Sequence, residues 1–327
     1  MSVLVTGGSG LVGSHVIEAL RSRGASVRAL VRPASRAAVE RLGADPVPGD
    51  VTDPAVWRAA AHGVRGIVHA AALVQRRCSW ERYVAVNVEG TRLAAQAAGA
   101  ARARLVHISS VAVYGGSGAY GVDRERRGED SPFLPIAESD FYARSKRLAE
   151  AVVRDAAGGG LSAVALRPNV VYGERDRLFT PRVIRVVRFG VVPRIGPGTN
   201  RLSCVYAGNV AAAVVAALEA PVSDFRAYHV TSDAPPPLTQ REFLAAFAAA
   251  LGSRPRAIPI PLGLARVVMG VLTSRTLARA AASFIIGENP YGDDRARSEL
   301  GWRPPFTAQE AVGRTVRWFV ENEKPGR

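Results

Sequence analysis

The run Val3-Leu4-Val5-Thr6-Gly7-Gly8-Ser9-Gly10-Leu11-Val12-Gly13 decides how the rest of the chain is read. Val3-Leu4-Val5 is short, apolar and partly β-branched, the pattern of a buried strand. From Ser14 to Arg23 the apolar residues Val16, Ile17 and Leu20 recur at helical spacing. Between strand and helix stand glycines that fit two spacings. Gly8, Gly10 and Gly13 make G-x-G-x-x-G, and Gly7, Gly10 and Gly13 make G-x-x-G-x-x-G. Glycine permits positive φ and lets a backbone come close to a pyrophosphate, whose charge is favoured at a helix N-terminus. An isolated triplet is a weak signal, and its alternative is an ordinary tight turn. The strand before it and the helix after it give it weight.

Outward from this run the same alternation continues. Strand-like segments occupy 3–6, 27–31, 46–48, 66–69, 104–108 and 162–166, with helical patterns between them, including 87–98 and 141–155. Such alternation predicts an α/β fold, a parallel sheet with helices on both faces. Beyond residue 168 the pattern loosens. Val210 to Leu218 returns to helix and Tyr228-His229-Val230 to strand; three prolines at 235–237 break the chain, and an alanine-rich helix runs from Thr239 to Gly252. The expected organisation is interleaved. A dinucleotide-binding domain takes 1–168 plus 201–234, and a smaller substrate-binding cap takes 169–200 plus 235–327.

The strand 27–31 should end at an adenosine ribose. A carboxylate there would hold the 2′-hydroxyl of NAD. The chain instead offers Val31-Arg32-Pro33-Ala34-Ser35-Arg36. Arginine suits a 2′-phosphate, which favours NADP(H) and leaves NAD(H) as the alternative. Asp50 closes the next strand-like segment, either to accept from the adenine amino group or to cap the helix starting near Pro54.

Composition sets bounds. The length supports a full core. Hydrophobic residues make up 48% and charged residues 22%, as expected for a soluble globular chain. The N-terminal apolar run is too short for a signal peptide. Cys78 and Cys204 make neither a disulfide framework nor a metal cluster, and no metal is expected. A reducing cytoplasm is the expected location. His15, His62, His69, His107 and His229 show no ligand spacing and read as structural. The net charge of +15 raises nucleic-acid binding. Its arginines are scattered, however, without a basic tail or a binding motif, so no nucleic-acid partner is expected; a small-molecule substrate is. The segment 257–286 is apolar but interrupted by Arg266, Arg275 and Arg279, too short in each stretch to span a bilayer. It reads as core or as an apolar wall over the substrate, with peripheral membrane contact as the alternative.

Of 43 basic residues only Lys146 and Lys324 are lysines. Lys146 stands four residues after Tyr142, in Asp140-Phe141-Tyr142-Ala143-Arg144-Ser145-Lys146. A compact ammonium whose pKa can move, one helical turn from a phenol, is suited to stabilising a phenolate. With this pair the chain resembles the extended short-chain dehydrogenase/reductase family along nearly its whole length. The landmarks are Thr6 to Gly13, Gly49-Asp50, His69-Ala70-Ala71-Ala72, Asn87-Val88-Glu89-Gly90-Thr91, Ile108 to Gly115, Tyr142 to Lys146, Leu166-Arg167-Pro168-Asn169-Val170-Val171-Tyr172-Gly173 and Ala296 to Pro304. The resemblance implies a Rossmann-type doubly wound parallel sheet with a smaller, mainly helical C-terminal cap. It implies an NAD(P)-dependent oxidoreductase in which Ser110, Tyr142 and Lys146 are catalytic, with Asn87 in support, or else in a plain helix-start role. Cofactor contacts are expected from Gly7, Gly10, Leu11, Val12 and Gly13 at the pyrophosphate. Arg32, Ser35, Arg36, Asp50 and Val51 are expected at the adenosine. Ala70, Ala71, Ala72, Tyr142, Lys146, Pro168 and Val171 are expected to contact the cofactor as well, Lys146 at the nicotinamide ribose. A homodimer through the helices holding Asn87 and Tyr142 is also implied.

Two departures bear on the branch. Sugar-nucleotide enzymes of this family often carry Asn three residues after the arginine of the Leu-Arg segment. That position is Val170, and Asn169 lies one residue early. A shift of one in an extended stretch points the side chain the other way. Tyr206 and Asn209 replace a His and an Asp of those enzymes. Val205-Tyr206 with Asn209-Val210 is more similar to the 3β-hydroxysteroid dehydrogenase-like branch. Val27 to Pro33 resembles dihydroflavonol and cinnamoyl-CoA reductases, which use NADPH. The expected reaction is NADP(H)-dependent interconversion of a ketone and a secondary alcohol on a medium or large apolar substrate. A nucleotide-sugar epimerase or dehydratase with bound NAD is the alternative.

Overall fold

The computed structural model describes residues 1–74, 78–115, 127–195, 197–222, 224–261 and 287–322. Among them the strands are β1 (Ser2–Thr6), β2 (Ser26–Val31), β3 (Asp45–Pro48), β4 (Gly66–His69), β5 (Arg104–Ile108), β6 (Ala163–Pro168), β7 (Val170–Tyr172), β8 (Val191–Ile195), β9 (Cys204–Tyr206), β10 (Arg226–Val230) and β11 (Arg256–Ile260). Seven form one sheet in the order β10-β6-β5-β4-β1-β2-β3, with every pairing parallel. The sequence of strands reverses between β1 and β4, which opens a crevice at their carboxyl ends.

Apart from the edge strand β3, the sheet is largely buried on both faces, so its strands are mostly apolar runs instead of alternating. Val3, Val5, Val68, Val106 and Leu166 face the helices Leu11–Arg21 and Ala207–Glu219. Leu4, Ile67 and Leu105 face the other way, towards Pro54–Ala61, Gly90–Ala101 and Phe141–Gly158. A second core gathers Tyr172, Ile184, Val187, Tyr206, Phe243, Phe247, Val312 and Val316. It is served by the helices Thr180–Arg188, Gln240–Ala250 and Ala308–Asn322 and by two small parallel pairs, β7 with β9 and β8 with β11. The expected helix 87–98 begins differently: a π-helical turn over Val84–Glu89 leads into Gly90–Ala101. The apolar run expected at 257–286 falls almost wholly outside the described residues, and so do Arg266, Arg275 and Arg279.

Candidate active site

The expected cofactor residues follow the carboxyl ends of successive strands. Gly7 to Gly13 come after β1, Arg32 after β2, Asp50 and Val51 after β3, Ala70 to Ala72 after β4, and Ser110 after β5. Pro168 ends β6 and Val171 lies in β7. Gly7 has φ +69°, and a β-carbon there would lie 2.7 Å from the Ala71 nitrogen across the crevice. A β-carbon on Gly13 would collide with the Gly7 carbonyl oxygen. The Gly10 nitrogen donates to that same carbonyl at 2.9 Å, closing the turn. Gly10 then starts the helix without any side-chain cap, so the first-turn amides beyond it have no side chain competing for them. A backbone cradle that added β-carbons would block, at an uncapped helix start, fits a dinucleotide pyrophosphate.

Arg32 is exposed at the rim of β2. Arg36 is also exposed, but its guanidinium is engaged by Glu40 one turn on, at 2.7 Å. Ser35 is half-buried in the short turn Pro33–Ser35. Asp50 does not cap the following helix. Its Oδ1 accepts from the Thr52 nitrogen at 3.0 Å and hydroxyl at 2.8 Å, while Asp53 is the cap, accepting from the Ala55 nitrogen at 2.9 Å. Burial works to raise the Asp50 carboxyl, but the Thr52 bonds, with Arg82 and Arg32 nearby, hold it below its ordinary value.

Helix Phe141–Gly158 starts at Asp140, whose side chain accepts from the Ala143 nitrogen at 3.1 Å. Tyr142, half-buried, occupies its first turn. Lys146 is only 3% exposed, and its Nζ donates to the Ile108 carbonyl at the end of β5. Burial lowers its pKa to about 8, with Glu150 pulling the other way. Ser110 follows two residues beyond that carbonyl and caps a short 3₁₀ turn, its Oγ accepting from the Ala112 nitrogen at 3.2 Å. The neighbouring Ser109 hydroxyl is directed elsewhere and donates to Glu150 at 2.6 Å.

Asn87 ties these parts together. Its Oδ1 accepts from the Leu73 nitrogen at 2.6 Å, and its Nδ2 donates to the Leu73 carbonyl at 3.1 Å and to the Ser145 hydroxyl at 2.9 Å. Ser145 in turn donates to the Tyr142 carbonyl at 2.9 Å. The amide thus fastens the turn carrying Tyr142 to the loop after β4. These contacts are direct and need no water.

Two buried residues outside the expected set complete the floor. Glu150 is 1% exposed and Arg167 2%. They form a two-pronged ion pair, Nε with Oε2 at 3.0 Å and Nη2 with Oε1. Arg167 also donates to the Tyr114 hydroxyl at 2.6 Å and the Glu129 carbonyl at 2.7 Å. The pair therefore joins helix Phe141–Gly158, β6 and the turn after Ser110. A legible signal existed: Glu150 is one helical turn beyond Lys146, on the same buried face. Beneath Lys146, His69 and His107 stack with centroids 5.8 Å apart on paired strands. Burial, with the Lys146 charge, depresses both, His69 to about 3, so both are neutral. Among the described residues no cluster could hold a metal ion, and no helix is long and apolar enough to cross a membrane.

Residues 3–230 match the model of the NAD dependent epimerase/dehydratase family. Over 95% of both chains the protein is 32% identical to the 4-hydroxy-2-methyl-3-oxo-4-farnesyl-3,4-dihydroquinoline-1-oxide ketoreductase of Stigmatella aurantiaca. It is 30% identical to a 3β-hydroxysteroid dehydrogenase/Δ5→4-isomerase of Mycobacterium tuberculosis, over 97% of this chain and 90% of that one. The solved dTDP-glucose 4,6-dehydratase DesIV of Streptomyces venezuelae, with NAD bound, superposes with a TM-score of 0.73 at 25% identity over 98% of each chain. The chain belongs to the NAD-dependent epimerase/dehydratase family and is an NAD(P)-dependent oxidoreductase of the extended short-chain dehydrogenase/reductase type.

Proposed function

We propose that the protein interconverts a ketone and a secondary alcohol on a medium or large apolar substrate, with NADP(H) as cofactor. The observation that carries the chemistry is Lys146, a buried ammonium fixed on the Ile108 carbonyl beside Ser110 and one turn from Tyr142. The nicotinamide, when bound, supplies or accepts the hydride. Tyr142 gives its phenolic proton to the carbonyl oxygen, or takes one from the alcohol. Lys146 favours the phenolate by its charge, which it carries below about pH 8. The Ser110 hydroxyl steadies the reacting oxygen, a role for which Ser109, spent on Glu150, is not available. Asn87 holds the Tyr142 turn in place. Arg32 meets the 2′-phosphate, since Arg36 is occupied by Glu40.

The substrate class rests on the departures from the sugar-nucleotide pattern. Asn169 points inward, donating to the Thr231 carbonyl at 2.9 Å and the Ser203 hydroxyl at 3.2 Å. The Tyr206 hydroxyl donates to Glu174, and Asn209 to Asp233 at 2.7 Å. These side chains are used within the protein and offer nothing to a diphosphate. The ketoreductase and steroid dehydrogenase relatives accord with an apolar substrate; the resemblance to the dehydratase DesIV keeps the sugar-nucleotide reading as the competitor. The same proposal divides the chain into a cofactor domain, 1–168 plus 201–234, and a cap, 169–200 plus 235–327. The place of β10 beside β6 supports the first. It further assigns a homodimer through the helices holding Asn87 and Tyr142, and a cytoplasmic location.

Calorimetry with NADPH, NADH and dTDP- or UDP-sugars, on wild type and Arg32→Asp, tests this reading. NADPH should bind most tightly, Arg32→Asp should weaken it, and sugar nucleotides should not bind. Tight sugar-nucleotide binding with NADH preferred would install the epimerase reading instead. Tyr142→Phe should lower turnover by about 10³-fold or more with cofactor affinity kept. In the reducing direction kcat/KM should fall as pH rises through about 8, when the free enzyme loses the Lys146 proton.

A further inference from the structure

The +15 charge is unevenly placed along the chain. Residues 177–218 contain six arginines and residues 243–287 five, with no Asp or Glu in either segment. These eleven arginines account for most of the net charge. Helices Thr180–Arg188 and Gln240–Ala250 meet at the second core, where the first packs Ile184 and Val187 inward. Its outer side carries Arg182, Arg185 and Val186, all exposed. Phe189, which ends the helix, is 82% exposed. The strand β11 continues this surface, because the Arg256 nitrogen donates to the Gly190 carbonyl at 2.8 Å. Arg254, Arg256 and Ile258 are exposed as well. Among the described residues Arg182, Arg185, Arg254 and Arg256 form no ion pair with a carboxylate.

We propose that this face docks on an anionic lipid bilayer surface. Arginines without acidic neighbours are attracted to lipid phosphates. A phenylalanine and two aliphatic side chains among them enter the boundary between headgroups and acyl chains. The apolar members separate this partner from a nucleic acid: a duplex would use the guanidinium groups but has no place for Val186 and Ile258. Charge separates it from a second copy, since two faces that lack acids repel each other. The contact is peripheral, and it stands whether or not the substrate is apolar.

The full-length protein is sedimented with vesicles at physiological ionic strength. One set is phosphatidylcholine alone; the other contains phosphatidylglycerol as about a third of the lipid. Wild type should bind the anionic set and leave the neutral one. The pair Arg182→Glu with Arg185→Glu should weaken binding by about tenfold or more, as two charges near the surface are reversed. Phe189→Ser should weaken it several-fold with the charge unchanged. The pair Arg58→Glu with Arg65→Glu, exposed in the proposed cofactor domain, should leave it unaltered. Melting curves establish that each variant is folded. The proposal is overturned if anionic vesicles are not bound, or if Phe189→Ser and the charge reversal on the helix have no effect. It is likewise overturned if the two arginine pairs matter equally, or if an acidic protein or duplex DNA competes away the vesicles with Phe189 irrelevant.

Discussion

The two sides of the crevice are built on opposite plans. Under the glycine turn the chain gains closeness by having no side chains: Gly7 lies against Ala70 and Ala71, and Gly13 against Gly7. Under Ser110 it gains fixity from the most polar groups available, Glu150 and Arg167 fully buried and paired with each other. The first plan suits a site where backbone amides must reach a ligand. The second suits a site where a hydroxyl, a phenol and an ammonium must hold mutual positions. A half-ångström error matters more for reacting groups than for a charge-charge contact.

The contrast can be broken most severely at the ionic side. Glu150→Gln leaves the Arg167 guanidinium buried without its counter-charge, and unfolding measurements should show a loss of about 3–5 kcal/mol. Ser109→Ala removes only one neutral donor to the same carboxylate and should cost about 1–2 kcal/mol. Equal losses would mean that the ion pair does not set the floor.

Glu174 repeats the ionic plan behind the glycine turn, where it pairs with His15, and its titration sharpens the comparison. Burial raises its carboxyl, but His15, at 3.0 Å in the helix behind the glycine turn, and the Tyr206 hydroxyl outweigh burial and hold it at about 2. The folded pKa is therefore depressed. Its contribution is complete above the ordinary carboxylate range and is lost as pH falls from about 4.5 towards 2, on the order of 3 kcal/mol in all. Denaturation of Glu174→Gln and wild type should differ at pH 7 and converge near pH 2. A gap that persists at pH 2 would assign the effect to packing.

On the side-chain-free plan the larger loss falls on binding. Gly13→Ala should cost about 1–3 kcal/mol of stability through overpacking, while cofactor binding is lost to a far greater degree. Retained binding would mean that the close approach is not what the cofactor needs.

Most of the sheet was legible because a doubly covered parallel strand is a bare apolar run. The expected 104–108 and 66–69 coincide with β5 and β4, and the others differ by one or two residues at their ends. The glycine turn was legible because its spacing is covalently local. Glu150 and Arg167 were not singled out, since seventeen residues separate them and only the fold makes them partners. The π-helical turn over Val84–Glu89 was missed because apolar periodicity does not distinguish it from the helix it leads into. The strands β7, β8 and β9 were absent from the expected set for another reason. β7 and β9 have only three residues each, and β8 carries a proline and an arginine, so neither length nor alternation marks them.

The glycine floor has a consequence for redesign. A cradle made of main chain is indifferent to which dinucleotide sits in it, because both present the same pyrophosphate. Under the proposed function, discrimination between them falls to the rim at Arg32 and Ser35, which is exposed or half-buried and adds little to the core. Cofactor preference is thereby separated from foldability. It can drift, or be engineered, by one or two rim substitutions at nearly constant stability, while the floor tolerates none.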